Sequence, residues 1–304
     1  MKLVWLDLER NSINYIHPST FANASKLTDL NSSGNKIISI EPETFSFNVE
    51  LKWLNLNDNN MADIHPSIKT GTSDNNWKLQ WLNLERNNIS DVHQSTFRNN
   101  SRLRHLDISK NKITSLDPDT FIHNRELTFL YLQGNNITEI SKSSLHGLEH
   151  LVELDLPNNK IEELNPIIFH NTFHSTNRQN NQPSKLKHLN LAQNMLRSIN
   201  FELYFPLNSD SDSSKATFQL EYLNLCSNRL STLDVASVKW LNQTTAVTDL
   251  TANPWNCDCS LLFEVWRGLK HKLTLHCASP RQLQGMSWDV IEEIRSHVAE
   301  EMNI

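Results

Sequence analysis

This chain has no run of about 18 apolar residues, so no segment of it reads as a membrane-spanning helix. Positive charge is not in excess either. The 28 Lys and Arg are outnumbered by 34 Asp and Glu, the net charge is −6, and no long basic run occurs. That balance argues against a nucleic-acid partner. No nucleophile beside a base, no phosphate-cradling loop and no cluster of metal ligands stands out, which argues against an enzyme and calls for no cofactor and no metal. Residues 1–20 lack the apolar core of a secretory signal. Cysteine is scarce: Cys226 stands alone, while Cys257, Cys259 and Cys277 gather near the C-terminal end.

What the chain has instead is an asparagine at a nearly fixed interval: Asn11, Asn35, Asn59, Asn87, Asn111, Asn135, Asn159, Asn194, Asn228 and Asn253. The first nine share one pattern, with aliphatics at positions 1, 4, 6 and 11 and the asparagine at 9, as in Leu103, Leu106, Ile108, Asn111 and Ile113, apart from Ser32 at position 6 of the second coil and Met61 at position 11 of the third. A period of roughly 20–29 residues with this spacing is the signature of leucine-rich repeats. It predicts an α/β solenoid, a horseshoe with a parallel concave β-sheet, short helices or 3₁₀ turns on the convex side and a C-terminal helical cap. Positions 4 and 6 flank one residue, so in an extended strand both point to one side and fill a continuous core. Position 9 falls where the chain turns inward, and a carboxamide carries the donors and acceptor that such a buried turn needs. The ladder reads as scaffold.

A second ladder follows ten residues after the asparagine, at Phe21, Phe45, Phe97, Phe121, Leu145 and Phe169, several in settings such as Asp117-Pro118-Asp119-Thr120-Phe121. Pro and Thr suit the start of a helical turn, and the ring then plugs the convex side of the core. Three coils are long, with insertions near 69–76, 170–185 and 208–217. The latter two are rich in Asn, Gln, Ser and Asp and read as flexible loops. The first repeat starts at once, with Leu3, Leu6 and Leu8 in register. Terminal coils of solenoids are normally capped, so the expectation is a shortened start from which a cap and a signal peptide are missing.

Positions 3 and 5 project away from the core, toward the concave side. Position 3 is aromatic or histidine in most coils, and Trp53, Trp81, His105, Phe129 and Tyr131 come from four successive ones. Exposed Trp and Tyr are over-represented at interface hot spots. These five, with Asn55, Asn83 and Asp107 beside them, are the candidate ligand-binding patch. The same rings also read as cross-strand pairs that stabilise the sheet face.

The stretch Asn253-Pro254-Trp255-Asn256-Cys257-Asp258-Cys259, continuing to Cys277-Ala278-Ser279-Pro280, resembles the cysteine-rich C-terminal flank of extracellular leucine-rich-repeat proteins, a group that includes Toll-type, Slit-like, chaoptin-like and acid-labile-subunit-type proteins. The division that follows is a solenoid over 1–253 and a cap over 254–304, with Leu261, Leu262, Phe263, Trp266 and Leu269 as an amphipathic capping helix. The resemblance implies a disulfide between Cys257 and Cys277 and leaves Cys259 without a partner. Zinc on Cys257, Cys259, His276 and Cys277 fits in residue type but poorly in spacing. Disulfides persist in oxidising compartments, which implies an extracellular or cell-surface location. The sequons at Asn23, Asn31, Asn88, Asn99, Asn136 and Asn242 agree. The function implied is recognition of another protein by a secreted protein or receptor ectodomain, with membrane attachment only through a segment absent from this chain. A matrix or adhesion component is the alternative, and an intracellular scaffold with reduced cysteines a further one.

Overall fold

The structure, a computed structural model, describes residues 2–41, 43–64, 78–165, 168–169, 184–201, 205, 220–257, 275–287, 290–291 and 293. The insertions near 69–76 and 208–217, most of that near 170–185, the capping-helix residues 261–269 and Cys259 lie outside the described residues.

Ten short strands form one parallel sheet in chain order: β1 (Trp5–Asp7), β2 (Asp29–Asn31), β3 (Trp53–Asn55), β4 (Trp81–Asn83), β5 (His105–Asp107), β6 (Phe129–Tyr131), β7 (Glu153–Asp155), β8 (His188–Asn190), β9 (Tyr222–Asn224) and β10 (Val247–Asp249). Each strand covers positions 3 to 5 of its repeat, and each pairs with the next at the same repeat position. Trp53 lies opposite Trp81, Leu54 opposite Leu82 and Asn55 opposite Asn83. The middle leucine of β2 to β9 is fully buried while its two neighbours stay half-exposed from β2 to β9. That is the period-2 alternation of a strand with one wet face. Register is not shifted where a coil is longer: β7 and β8 still pair Leu154 with Leu189.

The seam that enforces this register is the position-9 asparagine. The Asn111 Nδ2 group donates to Leu84 O of the preceding coil at 3.0 Å and to Ile108 O and Ser109 O of its own at 3.1 and 3.0 Å. Its Oδ1 accepts the Ile89 N–H of the preceding coil at 3.0 Å. The same arrangement recurs from Asn35 to Asn253, all buried. The turn these side chains hold is a left-handed one. The residue before each asparagine has a positive φ in every coil, between 52° and 68°, yet only Gly34 and Gly134 are glycines there. The other eight, Lys110 and Gln193 among them, adopt a conformation that costs roughly 1–2 kcal/mol without glycine. It persists because the neighbouring asparagine fixes the turn from both sides.

On the convex side of the first, second, fourth, fifth and sixth coils the connections are successive turns closed by hydrogen bonds from residue i+3 back to i, such as Ala24 N to Phe21 O at 2.9 Å and Asn124 N to Phe121 O at 2.9 Å. The threonine before the ring closes the turn. Thr44 Oγ1 donates to Glu41 O and Thr120 Oγ1 to Asp117 O, both at 2.7 Å. Phe21 stacks on Phe45 and Phe97 on Phe121, with ring centroids 5.8 and 5.9 Å apart. A second asparagine ladder, not anticipated from the sequence, lies three residues past the ring. Asn48 Nδ2 donates to Phe21 O and Ala24 O, and Asn124 Nδ2 to Phe97 O and Asn100 O. In the ninth coil the connection becomes a true helix, α1 (Val235–Gln243), N-capped by Asp234, whose carboxylate accepts Ser237 N–H. Trp240 of α1 stacks on Phe201 at 5.1 Å and continues the ring column.

At the C-terminal end the fully buried Trp255 donates its indole N–H to Leu250 O, 3.1 Å away. Strands β11 (Trp255–Asn256) and β12 (Cys277–Ser279) pair in parallel, and Cys257 is bridged to Cys277. Trp255, Cys257, Leu275, Cys277 and Ile291 join the same apolar core as the coils.

Asn111→Ala removes the acceptor for a buried N–H and the donors for three carbonyls. It is expected to lower unfolding free energy by about 2–4 kcal/mol in urea titrations. The exposed Asn11 donates only to Leu8 O and Glu9 O of its own coil, and Asn11→Ala should cost under about 1 kcal/mol in the same assay.

Candidate functional site

Because every strand is in register, the position-3 side chains line up across the concave face. Trp53 and Trp81 stack nearly parallel, centroids 4.6 Å apart with 12° between planes. Trp81 stacks on His105 at 5.3 Å and 21°. His105 then meets Phe129 at 5.9 Å and Tyr131 at 5.1 Å, both tilted. Four successive strands thus carry one continuous ribbon of rings, each half-exposed. A smaller pair, His188 and Tyr222, sits further along at 6.3 Å.

The position-5 residues beside the ribbon have a local duty that the sequence did not reveal. Asn55 Oδ1 accepts Asn57 N–H at 3.2 Å, and Asn83 Oδ1 accepts Glu85 N–H at 2.8 Å. Asp107 Oδ1 accepts both Ser109 N–H and Ser109 Oγ–H at 2.9 and 2.6 Å. Asn31, Asn190, Asn224 and Asp249 repeat the motif. These Asx turns shape the strand exit, which explains the Asn and Asp run at this position without a ligand. Asp155 is the exception. Two residues on stands Pro157, which has no N–H, so Asp155 forms no such turn and faces Asn190 of the next strand, whose amide favours its ionised form.

Charge on this face is unevenly solvated. Burial pushes the Asp107 carboxyl above its ordinary value of 3.8, with Glu85 adding to the rise and the two Ser109 donors opposing it. Burial also raises Asp155, helped by Glu153. The Tyr131 hydroxyl is driven far above its usual value by burial first, then by the neighbouring carboxylates of Glu153, Asp155 and Asp107. Between the rings, burial lowers the His105 pKa, with Asp107 and Glu153 pulling the other way. Glu153 and Asp155, which sequence reasoning did not place in the patch, therefore border it directly. Glu153 lies opposite Phe129, and Asp155 opposite Tyr131.

Among the described residues no three His, Cys, Asp or Glu gather as metal ligands would, and no helix is long and apolar enough to cross a membrane. Cys226 is unbridged and half-exposed in the ninth coil. Of the sequons, Asn23 and Asn242 are exposed, while Asn88, Asn99 and Asn136 are half-exposed. Asn31 lies on the concave face with its Oδ1 engaged by Ser33. The Cys257–Cys277 bridge joins the residues that the family resemblance paired, and such bridges belong to extracellular proteins.

Ten in-register coils closed by one asparagine seam define a leucine-rich-repeat solenoid. Sequence models described as Leucine rich repeat match residues 1–61, 78–137 and 125–172, and a second such model matches 219–241. The chain belongs to the leucine rich repeat family. It is 38% identical over 120 residues to mouse Nephrocan, an alignment covering 34% of this chain and 23% of Nephrocan. Its fold is similar to that in the mouse RP105/MD-1 complex, with a TM-score of 0.69 at 21% identity over 92% of this chain and 43% of that one. The Drosophila Toll–Spatzle complex follows, with a TM-score of 0.57 at 22% identity over 93% and 47%. The chain thus spans less than half the length of each of these proteins.

Since the fold favours the protonated Asp107, ionisation of this group costs stability. The cost is absent below the ordinary carboxylate value of 3.8 and fully present above the raised one. Asp107→Asn keeps an acceptor for Ser109 and cannot ionise. Its melting temperature should exceed wild type at pH 7, and thermal melts should show the difference closing as pH falls toward 3.8.

Proposed function

We propose that this chain is a non-enzymatic, extracellular protein-binding module and that a partner docks on the concave ribbon of Trp53, Trp81, His105, Phe129 and Tyr131, with Asn55, Asn83 and Asp107 at its margin. The observation that carries this reading is the continuity of the ribbon: four strands in succession present rings to solvent, with Trp53 and Trp81 in face-to-face contact at 4.6 Å. Stacking among themselves relieves part of the rings' exposure and leaves a flat, rigid apolar strip. Such a strip binds at low entropic cost, because its side chains are already held in place. The two solved neighbours lend support of a general kind, RP105 having been seen with MD-1 and Toll with Spatzle. We further propose that residues 1–253 form the recognition solenoid and 254–304 its cap. The Cys257–Cys277 bridge argues against the intracellular-scaffold alternative.

A double substitution tests the docking face. Trp53→Ala with Trp81→Ala should reduce saturable binding to an array of extracellular proteins at least about thirty-fold, the effect of losing a hot spot of about 2 kcal/mol. Circular dichroism should remain unchanged. Phe47→Ala, at an exposed ring on the convex side, serves as the control and should bind like wild type. Equal binding by the double variant and the control would discard the concave reading.

A further inference from the structure

The concave sheet has a charge pattern that neither the repeat nor the ring ribbon requires. Each of the ten strands presents its first and third residues outward, and these twenty positions hold Asp7, Asp29, Asp107, Glu153, Asp155 and Asp249. None is Lys or Arg. The face therefore carries six carboxylates against no permanent cation, equal to the net charge of −6 of the entire chain. Cations flank the strands instead: exposed Lys52, Arg104 and Lys187 stand just before β3, β5 and β8, with Arg104 paired to Glu126 and Lys187 to Glu221, while past the strand exits Arg10 is paired to Glu9, and Arg86 and Lys110 to Glu85.

The acids also stand in a definite place. Asp29 lies opposite Trp53, and Glu153 opposite Phe129, so the position-3 row reads Asp29, Trp53, Trp81, His105, Phe129, Glu153 across six strands. The ring ribbon has a carboxylate at each end. Five strand steps at about 4.8 Å separate the two ends by about 24 Å, which an extended peptide crosses in about seven residues.

We propose that the occupant of this face is a basic protein segment, with Lys or Arg near both ends of an apolar or aromatic stretch lying across the strands over the ribbon. The segment's cations meet Asp29 at one end and the Glu153 and Asp155 pair at the other, while its apolar middle covers the indoles. Ring faces and carboxylates attract the same charge, so ribbon and acids act together on one ligand. Burial already disfavours the ionised forms of Asp107 and Asp155, so an arriving cation relieves a cost that the free face bears. An acidic partner meets repulsion along the sheet and is selected against.

This inference rests on the concave docking reading, and its test separates the two. The full chain is immobilised and presented with a display library of random 12-residue peptides in low salt. Enriched peptides should carry an excess of Lys and Arg flanking apolar residues. They should weaken about tenfold on the folded variant Asp29→Asn, Glu153→Gln, Asp155→Asn, the loss expected for several screened charge contacts. They should also weaken as salt is raised. Peptides that depend on Trp53 and Trp81 but are neutral or acidic, or that ignore the triple variant, overturn the basic-segment proposal and leave the docking face standing. Peptides that bind the Trp53→Ala, Trp81→Ala variant undiminished overturn both. Failure to enrich any sequence also counts against the basic segment.

Discussion

The structure depends on a single hydrogen-bonding device, a buried carboxamide that serves two coils at once. A parallel solenoid must turn its chain inward at the end of every strand. That turn strands backbone N–H and C=O groups where water does not reach. The position-9 asparagine answers both needs from one side chain, donating to carbonyls of its own and the preceding coil and accepting an N–H from the preceding one. Nothing else at that position offers donors and an acceptor in so short a reach. The left-handed residue before it, non-glycine in eight coils, is the conformational cost of bringing the carboxamide into place.

The properties of the concave face follow from that device. The asparagine bonds run between adjacent coils at equivalent positions, so the strands cannot slip, and residues at position 3 meet their counterparts directly. Ring contacts of 4.6 and 5.3 Å along the ribbon are close to the spacing of the strands themselves. Position 5 repeats the principle at smaller scale, since each Asx turn closes the strand exit within its own coil. The concave chemistry is thus written mainly at position 3, while position 5 adds charge to its turn-forming duty at Asp7, Asp107 and Asp249 and departs from that duty at Tyr131 and Asp155.

Much of this was legible in the sequence because the repeat has a period and the period has phase. Counting from Asn111 assigned the buried leucines, the outward positions and the stacked phenylalanines, and the flanking motif indicated the Cys257–Cys277 bridge. Three features escaped for physical reasons. The left-handed turn is normally signalled by glycine, and Arg10, Asp58 or Lys110 gave no such sign. The second asparagine ladder is irregular, with Ala24 and Leu148 where Asn48 and Asn124 stand, so it showed no period. The role of the position-5 acids depends on which residue follows two places on; Ser109 and Pro157 send Asp107 and Asp155 to different partners. The pairing of β6 with β7 sets Glu153 opposite Phe129 and Asp155 opposite Tyr131.

The seam has one more consequence. Its bonds link neighbours through the strand side of each coil, whatever the number of residues from one asparagine to the next. The steps from Asn59 to Asn87, Asn159 to Asn194 and Asn194 to Asn228 are longer than the rest, yet the strands on either side of each remain in register. A coil can therefore be lengthened between one asparagine and the next without a shift of strand register. What the sheet requires of the chain is the stitching, while the length of cloth between stitches is free to differ from coil to coil.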